Sequence, residues 1–314
     1  AFSRIMGPEM WKRGYPKGFT AATITAASPL GAFIPPSIPA IIIAVATSTS
    51  VITMFAVAAA LGIIVMFGLI VAILIISYKK GYGGLERRYT FREIIWRILR
   101  ALPLLAVPLG VLGGIYFGVF SVTEAGALGA IGALAVAAAY RRITLRRIAE
   151  IIIESSRTTA VVLLMIGASY ILNYTWSLSG LNQALIEFFK GISVSVSPFA
   201  ALLILAGILA VLGMFFDVIV LSIAWGATII SAFAPYGINP YHINALFLYG
   251  VLLGTSSPPV GAGVFVVSHS LNIEIEKILK AIIPFIIIYL IIYVIIVLVP
   301  EAVLWFPKLL GLPV

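Results

Sequence analysis

An all-α, polytopic membrane protein is the fold class this sequence predicts, and three observations predict it. Of 314 residues, 62% are hydrophobic and only 10% charged, against roughly half and a quarter in soluble domains. Several apolar runs reach the ~20 residues that a helix needs to cross a bilayer. Two of those runs are interrupted by Pro-Pro at matching places. The composition excludes a soluble globule, a disordered chain and a coiled coil. The 20 Lys and Arg against 11 Asp and Glu leave a net charge of +9, but the cations cluster between apolar runs, as topology signals do and nucleic-acid patches do not. No cysteine is present, and His242 and His269 are the only histidines, so disulfides, thiolate sites and histidine metal clusters have no support.

The elements follow in chain order. Ala1 is not an initiator Met, and AFSRIMGPEMWKRGY has neither the charged start nor the apolar core of a signal peptide; the expectation is a chain that starts inside a longer protein. Residues 19–47 form an apolar run broken at Pro35-Pro36, and 51–77 an unbroken one that ends at Lys79-Lys80. GLERRYTFREIIWRILRAL mixes basic and apolar residues at helical spacing, which predicts a helix lying in the membrane interface. Crossings at 102–118 and 122–140 follow, and YRRITLRRIAEIIIESSR repeats the interfacial pattern. Further apolar stretches cover 158–178, 198–235, 241–271 with a break at Pro258-Pro259, and 281–299. In the middle of 198–235 stand Gly213, Asp217 and small residues, which predicts two short helices meeting at a re-entrant tip.

Counting cations tests that topology. With Lys17 in the cytoplasm and 198–235 a hairpin, 18 of the 20 Lys and Arg lie inside and only Lys190 and Lys308 lie outside, a strong positive-inside bias. A single crossing there would move Lys277 and Lys280 outside. The C-terminus is accordingly expected on the extracytoplasmic side.

The two interrupted runs repeat each other. GYPKGFTAATITAASPLGAFIPPS starts at Gly14 and GINPYHINALFLYGVLLGTSSPPV at Gly237; Gly14 to Gly31 and Gly237 to Gly254 are both 17 apart, and each second Gly opens G-x-x-x-P-P. The offset is 223 residues. In the topology above the copies run in opposite directions, and inverted repeats with paired broken helices mark a secondary transporter with a midplane site. Proline removes a donor and clashes with the preceding turn, so each break frees carbonyls that protein, water or ions must satisfy inside lipid. Those carbonyls around Gly31, Pro35, Pro36, Gly254, Pro258, Pro259 and Gly261, with the hydroxyls of Ser37, Thr255, Ser256 and Ser257, are hard oxygen donors suited to Na+. The half-helix N-termini suit a substrate carboxylate. The bland reading is a pair of kinks that only shape the bundle.

Charges within the membrane are costly and usually face a cavity or partner. Asp217, the only Asp, sits at the hairpin tip as an ion or substrate ligand or a tip-stabilising cap. Glu124 stands at a helix start where Ser121 or Thr123 can cap, which predicts a structural carboxylate. His242 and His269 read either as structural residues or as proton relays. Trp96, Trp176 and Trp305 read as interfacial anchors. No phosphate loop, nucleophile elbow or HExxH is present, so no enzyme activity is expected.

PEMWKRGYPKGFTAA, GAFIPPSIP, GVFSVTEAGALGA, RRITLRRIAEIIIESSRTTAVVLLMIGAS, LGMFFD and GTSSPPVGAGVFV, in that order, resemble the large membrane subunit of tripartite ATP-independent periplasmic (TRAP) transporters. The resemblance runs along essentially the whole chain. It implies an elevator-type carrier: end of a first hairpin and broken helix at 1–50, scaffold helices with two amphipathic arms at 51–157, a second transport repeat at 158–271 and a C-terminal scaffold helix at 272–314. Gly213, Asp217, Ser37 and Ser256 are then expected at the substrate, and the two break segments at Na+. The sequence departs from the family at Val218-Ile219, where Pro-Thr usually follows Asp, and at Thr47-Ser48-Thr49-Ser50, where a glycine-rich GTS pattern is usual. By the resemblance, the first hairpin tip of the family is expected before Ala1. The function implied is the permease of a Na+-coupled carboxylate importer in the bacterial inner membrane, with a small membrane subunit, an extracytoplasmic solute-binding protein, no cofactor and no nucleic acid. The alternatives are a stand-alone carrier of the same superfamily and a non-transporting membrane scaffold.

Overall fold

A computed structural model describes residues 2–83, 90–140, 144–258 and 261–314. The expected arm residues 84–89, the cations Arg141 and Arg142, and the expected ion ligand Pro259 lie outside the described residues. Among the described residues every regular element is helical: α1 Phe2–Lys12, α2 Lys17–Ala27, α3 Leu30–Phe33, α4 Ile38–Ala46, α5 Val51–Lys80, α6 Phe91–Tyr116, α7 Val122–Ala139 and α8 Leu145–Leu178. Then follow α9 Leu181–Ser195, α10 Pro198–Leu212, α11 Val218–Phe233 with a 3-10 turn to Tyr236, α12 Pro240–Thr255, α13 Ala262–Leu271, α14 Ile275–Leu298 and α15 Glu301–Leu309. Among the described residues five stretches are long and apolar enough to cross a bilayer: Val51–Lys80, Val122–Ala139, Leu145–Leu178, Val218–Tyr236 and Ile275–Leu298. Counting bent pairs as single crossings raises the number to seven.

Local chemistry sets the ends. Ser50, Ser121, Ser197, Asp217 and Asn239 each accept a backbone amide as helix N-caps, using the acceptor a helix start lacks. Gly81 stops α5 in the left-handed region at φ 65°, where glycine has no Cβ penalty. The second interfacial segment and the crossing after it, expected as separate elements, form the single 34-residue helix α8. No proline or glycine stands between Leu145 and Ile166 to interrupt it.

Cα packing divides the chain into two compact units, residues 1–84 with 166–314, and residues 85–165. In the second unit α7 meets α6 through Gly129 and Gly132, where an added Cβ would stand 3.1 Å from Val111 and 3.3 Å from Val107. Two capping boxes start its helices, Thr90 with Glu93 and Ser121 with Glu124.

The first unit holds both broken helices, and its packing carries the repeat. α2 begins at Lys17 and α12 at Pro240, 223 residues apart, while α4 and α13 begin at Ile38 and Ala262. Gly14 and Gly237, which precede them, both have left-handed φ, 81° and 67°. α1 packs on α2 and α13, and correspondingly α11 packs on α12 and α4. α2 also packs on α13, and α12 on α4, so the first half of each broken helix lies against the second half of the other. α5 and α14, expected as scaffold, lie in this same unit: α5 against α3, α4 and α12, and α14 against α2, α12 and α13.

α10 and α11 flank the tip 213–217 and are 15 and 16 residues long, about 22–24 Å against a hydrocarbon core of about 30 Å. They pack on α9 and α12. Only with its 3-10 extension does α11 reach crossing length. The approach of α10 to α12 is close because both contact faces lack side chains. A Cβ on Gly254 would fall 2.6 Å from the Ala210 carbonyl oxygen and 2.7 Å from Gly213 Cα, and one on Gly213 would fall 2.6 Å from Val251 Cα. Small residues permit such helix contacts where lipid offers no hydrophobic drive. At the equivalent Gly31 an added Cβ meets nothing within 4 Å. Gly254→Ala is therefore expected to destabilise the fold by about 2 kcal/mol or more, because backbone cannot yield as a flexible side chain can. Gly31→Ala should stay within about 0.5 kcal/mol; thermal unfolding of the two variants in detergent checks the contrast.

Candidate functional site

The first break begins where α2 ends. Ser28 caps it through its amide on the Thr25 carbonyl, α3 makes one turn, Ile34 is extended, and the Pro35-Pro36 peptide is cis. Ser37 then starts α4: its hydroxyl donates to the Ala32 carbonyl and accepts the Ala40 amide at 3.2 Å. That hydroxyl is buried and keeps one lone pair, since its proton and its other lone pair are used within the break. Pro35 is buried, whereas Gly31 and Pro36 are exposed.

The second break is more closely built. Thr255 Oγ1 donates to the Leu252 carbonyl and Ser257 Oγ to the Leu253 carbonyl, both at 2.8 Å, the back-bonding usual for hydroxyls in apolar helices. Their protons are thereby committed, which leaves each oxygen only an acceptor role. Ser256 is 3% exposed, and its Oγ has no hydrogen-bond partner among the described residues. Gly261 closes the break with its amide on the Ser257 carbonyl at 3.0 Å, and a Cβ there would stand 2.7 Å from the Thr255 carbonyl oxygen. α13 starts at Ala262 with no capping side chain, so its first amides keep the partial positive charge of a helix N-terminus. Gly263 lies beside both the Thr255 carbonyl and Ser28 Oγ, 3.2 and 3.6 Å from its would-be Cβ. The exit of α2 therefore reaches the second break.

The hairpin tip joins the same locus, since Gly213 is the residue that fills against Gly254. Asp217 is exposed, and its Oδ1 accepts the Ile219 amide at 2.8 Å as the N-cap of α11. The structure thus brings Gly213, Gly254, Thr255, Ser257 and Gly261 together, while Ser37 bonds within its own break and Asp217 points its carboxylate at its own helix. Glu124, in the other unit, accepts both the amide and the hydroxyl of Ser121 at 2.8 Å; Ser121 is the cap, and Thr123 stands between the two members of the pair at the second helical position. His242 holds the Ile296 carbonyl through Nε2 at 2.8 Å. Among the described residues no cluster of three His, Cys, Asp or Glu could hold a metal ion.

Sequence reasoning missed two buried polar groups that fix these segments. Tyr289 Oη donates to the Ala26 carbonyl at 2.6 Å, Tyr249 Oη to the Tyr289 carbonyl at 2.8 Å, and Tyr293 Oη to the Leu246 carbonyl at 2.9 Å. Gly250 makes room for the last, because a Cβ there would clash with the Tyr293 hydroxyl. Asn244, fully buried, donates to Thr47 and Thr49 hydroxyls at 2.9 and 3.1 Å, and Tyr241 accepts the Ser50 amide at 3.1 Å. The available signal was the pair Tyr289 and Tyr293 four apart in the otherwise apolar stretch 281–298, each hydroxyl needing a partner in lipid.

The family model described as "Tripartite ATP-independent periplasmic transporter, DctM component" matches residues 1–302. The chain is 29% identical to the C4-dicarboxylate TRAP transporter large permease protein DctM of Rhodobacter capsulatus, over 99% of this chain and 74% of that one. It is 28% identical to the sialic acid TRAP transporter large permease protein SiaM of Vibrio cholerae, over 94% and 69%. To the isethionate TRAP transporter permease protein DctMQ of Oleidesulfovibrio alaskensis it is 27% identical over 98% of this chain, which spans about half, 48%, of that longer relative.

The cap geometry makes Asp217 separable into charge and hydrogen bond. Asp217→Ala is expected to lower stability by about 1 kcal/mol, and Asp217→Asn to restore it, since both Asp and Asn cap well. Unfolding midpoints of the pair test this.

Proposed function

This chain belongs to the DctM family, the large membrane component of tripartite ATP-independent periplasmic transporters, and from that premise we propose that it is the permease of a Na+-coupled importer of an organic carboxylate. As a permease it is a transporter subunit and not an enzyme; its family works with a small membrane subunit and a solute-binding protein. The observation that carries the finer reading is the second break. There the unpartnered Ser256 hydroxyl, the committed hydroxyls of Thr255 and Ser257, and two carbonyls crowded on Gly261 form an oxygen-only acceptor set. Unwound carbonyls of this kind coordinate Na+ in transporters built from inverted repeats, and the facing half-helix N-termini receive the anion. The uncapped start of α13 supplies such an N-terminus here.

The relatives' names include C4-dicarboxylate, sialic acid and isethionate, all organic anions, which fits that electrostatics and leaves their discrimination to the binding protein and the tip. In transport, the broken helices and the hairpin move as one body, alternating access around their site, in the cytoplasmic membrane of a bacterium-like cell.

Uptake into proteoliposomes containing the full-length permease and both partners is the direct test, with labelled succinate, sialic acid and isethionate as probes. Uptake should require an inward Na+ gradient, and Ser256→Ala should raise the half-saturating Na+ concentration by roughly tenfold, the value of one hydrogen-bond-sized interaction. Uptake indifferent to Na+ would sink the coupling, and an unchanged Na+ requirement in the Ser256 variant would remove this site.

Topology has its own test. Alkaline phosphatase joined after Val314 should be active and green fluorescent protein dark, because 198–235 turns back. The opposite pattern would make 198–235 a crossing, with Lys277 and Lys280 outside.

A further inference from the structure

Cations held at two independent breaks would bind without regard to each other. In this fold the breaks are not independent, because buried side chains tie the segment before one to the segment before the other. Tyr289, on α14, hydrogen-bonds the Ala26 carbonyl two residues before Ser28, where α2 gives way to the first break. Tyr249, on α12 five residues before Gly254, hydrogen-bonds the backbone carbonyl of that same Tyr289. Phe33, the last residue of α3, stacks on Tyr249 with ring centroids 5.8 Å apart and planes 19° from parallel. Phe33 and Tyr249 are fully buried, and Tyr289 is 2% exposed. Two routes, one of hydrogen bonds and one of stacked rings, therefore meet at Tyr249.

We infer that Tyr249 and Tyr289 are positioning residues that couple the two breaks, so that a cation ordering one break favours cation binding at the other. A break whose carbonyls converge on an ion needs its flanking helix ends held in place. Displacing the end of α2 moves Ala26, hence Tyr289, hence the Tyr249 hydroxyl on α12. The coupling is reciprocal by linkage, so neither break leads. Contiguous packing is only a route for coupling, and the physical warrant is a change in binding at one end caused by a change in the route. Tyr293 provides the internal comparison. It lies on the same helix, is 4% exposed, and hydrogen-bonds α12 at Leu246, two turns before the second break; its ring packs on Tyr249 with centroids 5.0 Å apart, a contact that Tyr293→Phe keeps while removing the hydroxyl.

The inference rests on the Na+ reading above, and its test separates the two. Equilibrium binding of radiolabelled Na+ to the full-length permease in detergent is followed against total NaCl, with choline chloride holding ionic strength constant, and stability is read separately as the Na+-free unfolding midpoint. A ligand that binds only the folded state keeps raising that midpoint with the logarithm of its concentration, so the Hill coefficient is read from the binding isotherm. The wild type should respond sigmoidally, with a Hill coefficient above one. Tyr289→Phe and Tyr249→Phe should each bring the coefficient to one and raise the half-saturating Na+ concentration roughly two- to tenfold, the factor that one hydrogen bond is worth. Tyr293→Phe should lower the Na+-free midpoint as much while keeping the sigmoid. Either of the first two variants suffices should the other not fold. A retained Hill coefficient in them, or its equal loss in Tyr293→Phe, overturns the coupling. A wild type that responds to Na+ with a coefficient of one overturns the coupling and leaves the Na+ reading standing. A wild type that ignores Na+ overturns both.

Discussion

Within the bilayer every backbone amide and carbonyl must find a partner without help from bulk water, and that requirement shapes the rest. A continuous helix meets it internally, which is why α5, α8 and α14 can present apolar side chains to lipid along much of their length. The breaks are where the requirement is met in other ways. At the first, Ser37 binds across its own loop and Tyr289 supports the end of α2. At the second, hydroxyls of Thr255 and Ser257 turn back on the preceding turn, and Ser256 is left with an acceptor to spare. The second break is a place where the helix ladder is interrupted and only partly repaired, and it is this gap that the proposed Na+ reading fills.

The two copies of the repeat are alike in position and unlike in packing. Gly31 and Gly254 occupy equivalent places, yet one stands in open space and the other against the backbone of Gly213 and Ala210. The hairpin tip closes on the second break, so the second copy is the more completely built of the two among the described residues. The tyrosines of α12 and α14 then connect that built break to the first.

Much of this was legible in the sequence because it depends on residues with strong local rules. Pro-Pro preceded by Gly marked both breaks, the 223-residue offset aligned the helices that precede them to the residue, and Gly14 and Gly237 share the left-handed turn that their equivalence implied. Gly213 was legible as a tip, but its contact with Gly254 was not, since close backbone approach leaves no trace beyond two small residues. The continuity of α8 was misread because charged and apolar stretches imitate separate elements when a helix runs from interface to interior. Tyr249, Tyr289 and Asn244 went unnoticed because their roles are fixed by what lies across from them, Ala26, Phe33 and Thr47, at separations of roughly 200 residues or more. Asp217 was legible as special; its observed bond is to the Ile219 amide beside it.

α2 packs on α13, and α4 on α12, so each broken helix has its permanent neighbours in the other copy. During synthesis the first broken helix enters the membrane with those neighbours still to come, α12 starting at Pro240 against α4 at Ile38 and α13 at Ala262 against α2 at Lys17. Its freed carbonyls must be covered in the interval by water, lipid headgroups or the insertion machinery. Assembly of the unit is therefore a late event, with the early helices held in waiting, and a ribosome that stalls before α12 leaves an inserted but unclosed half.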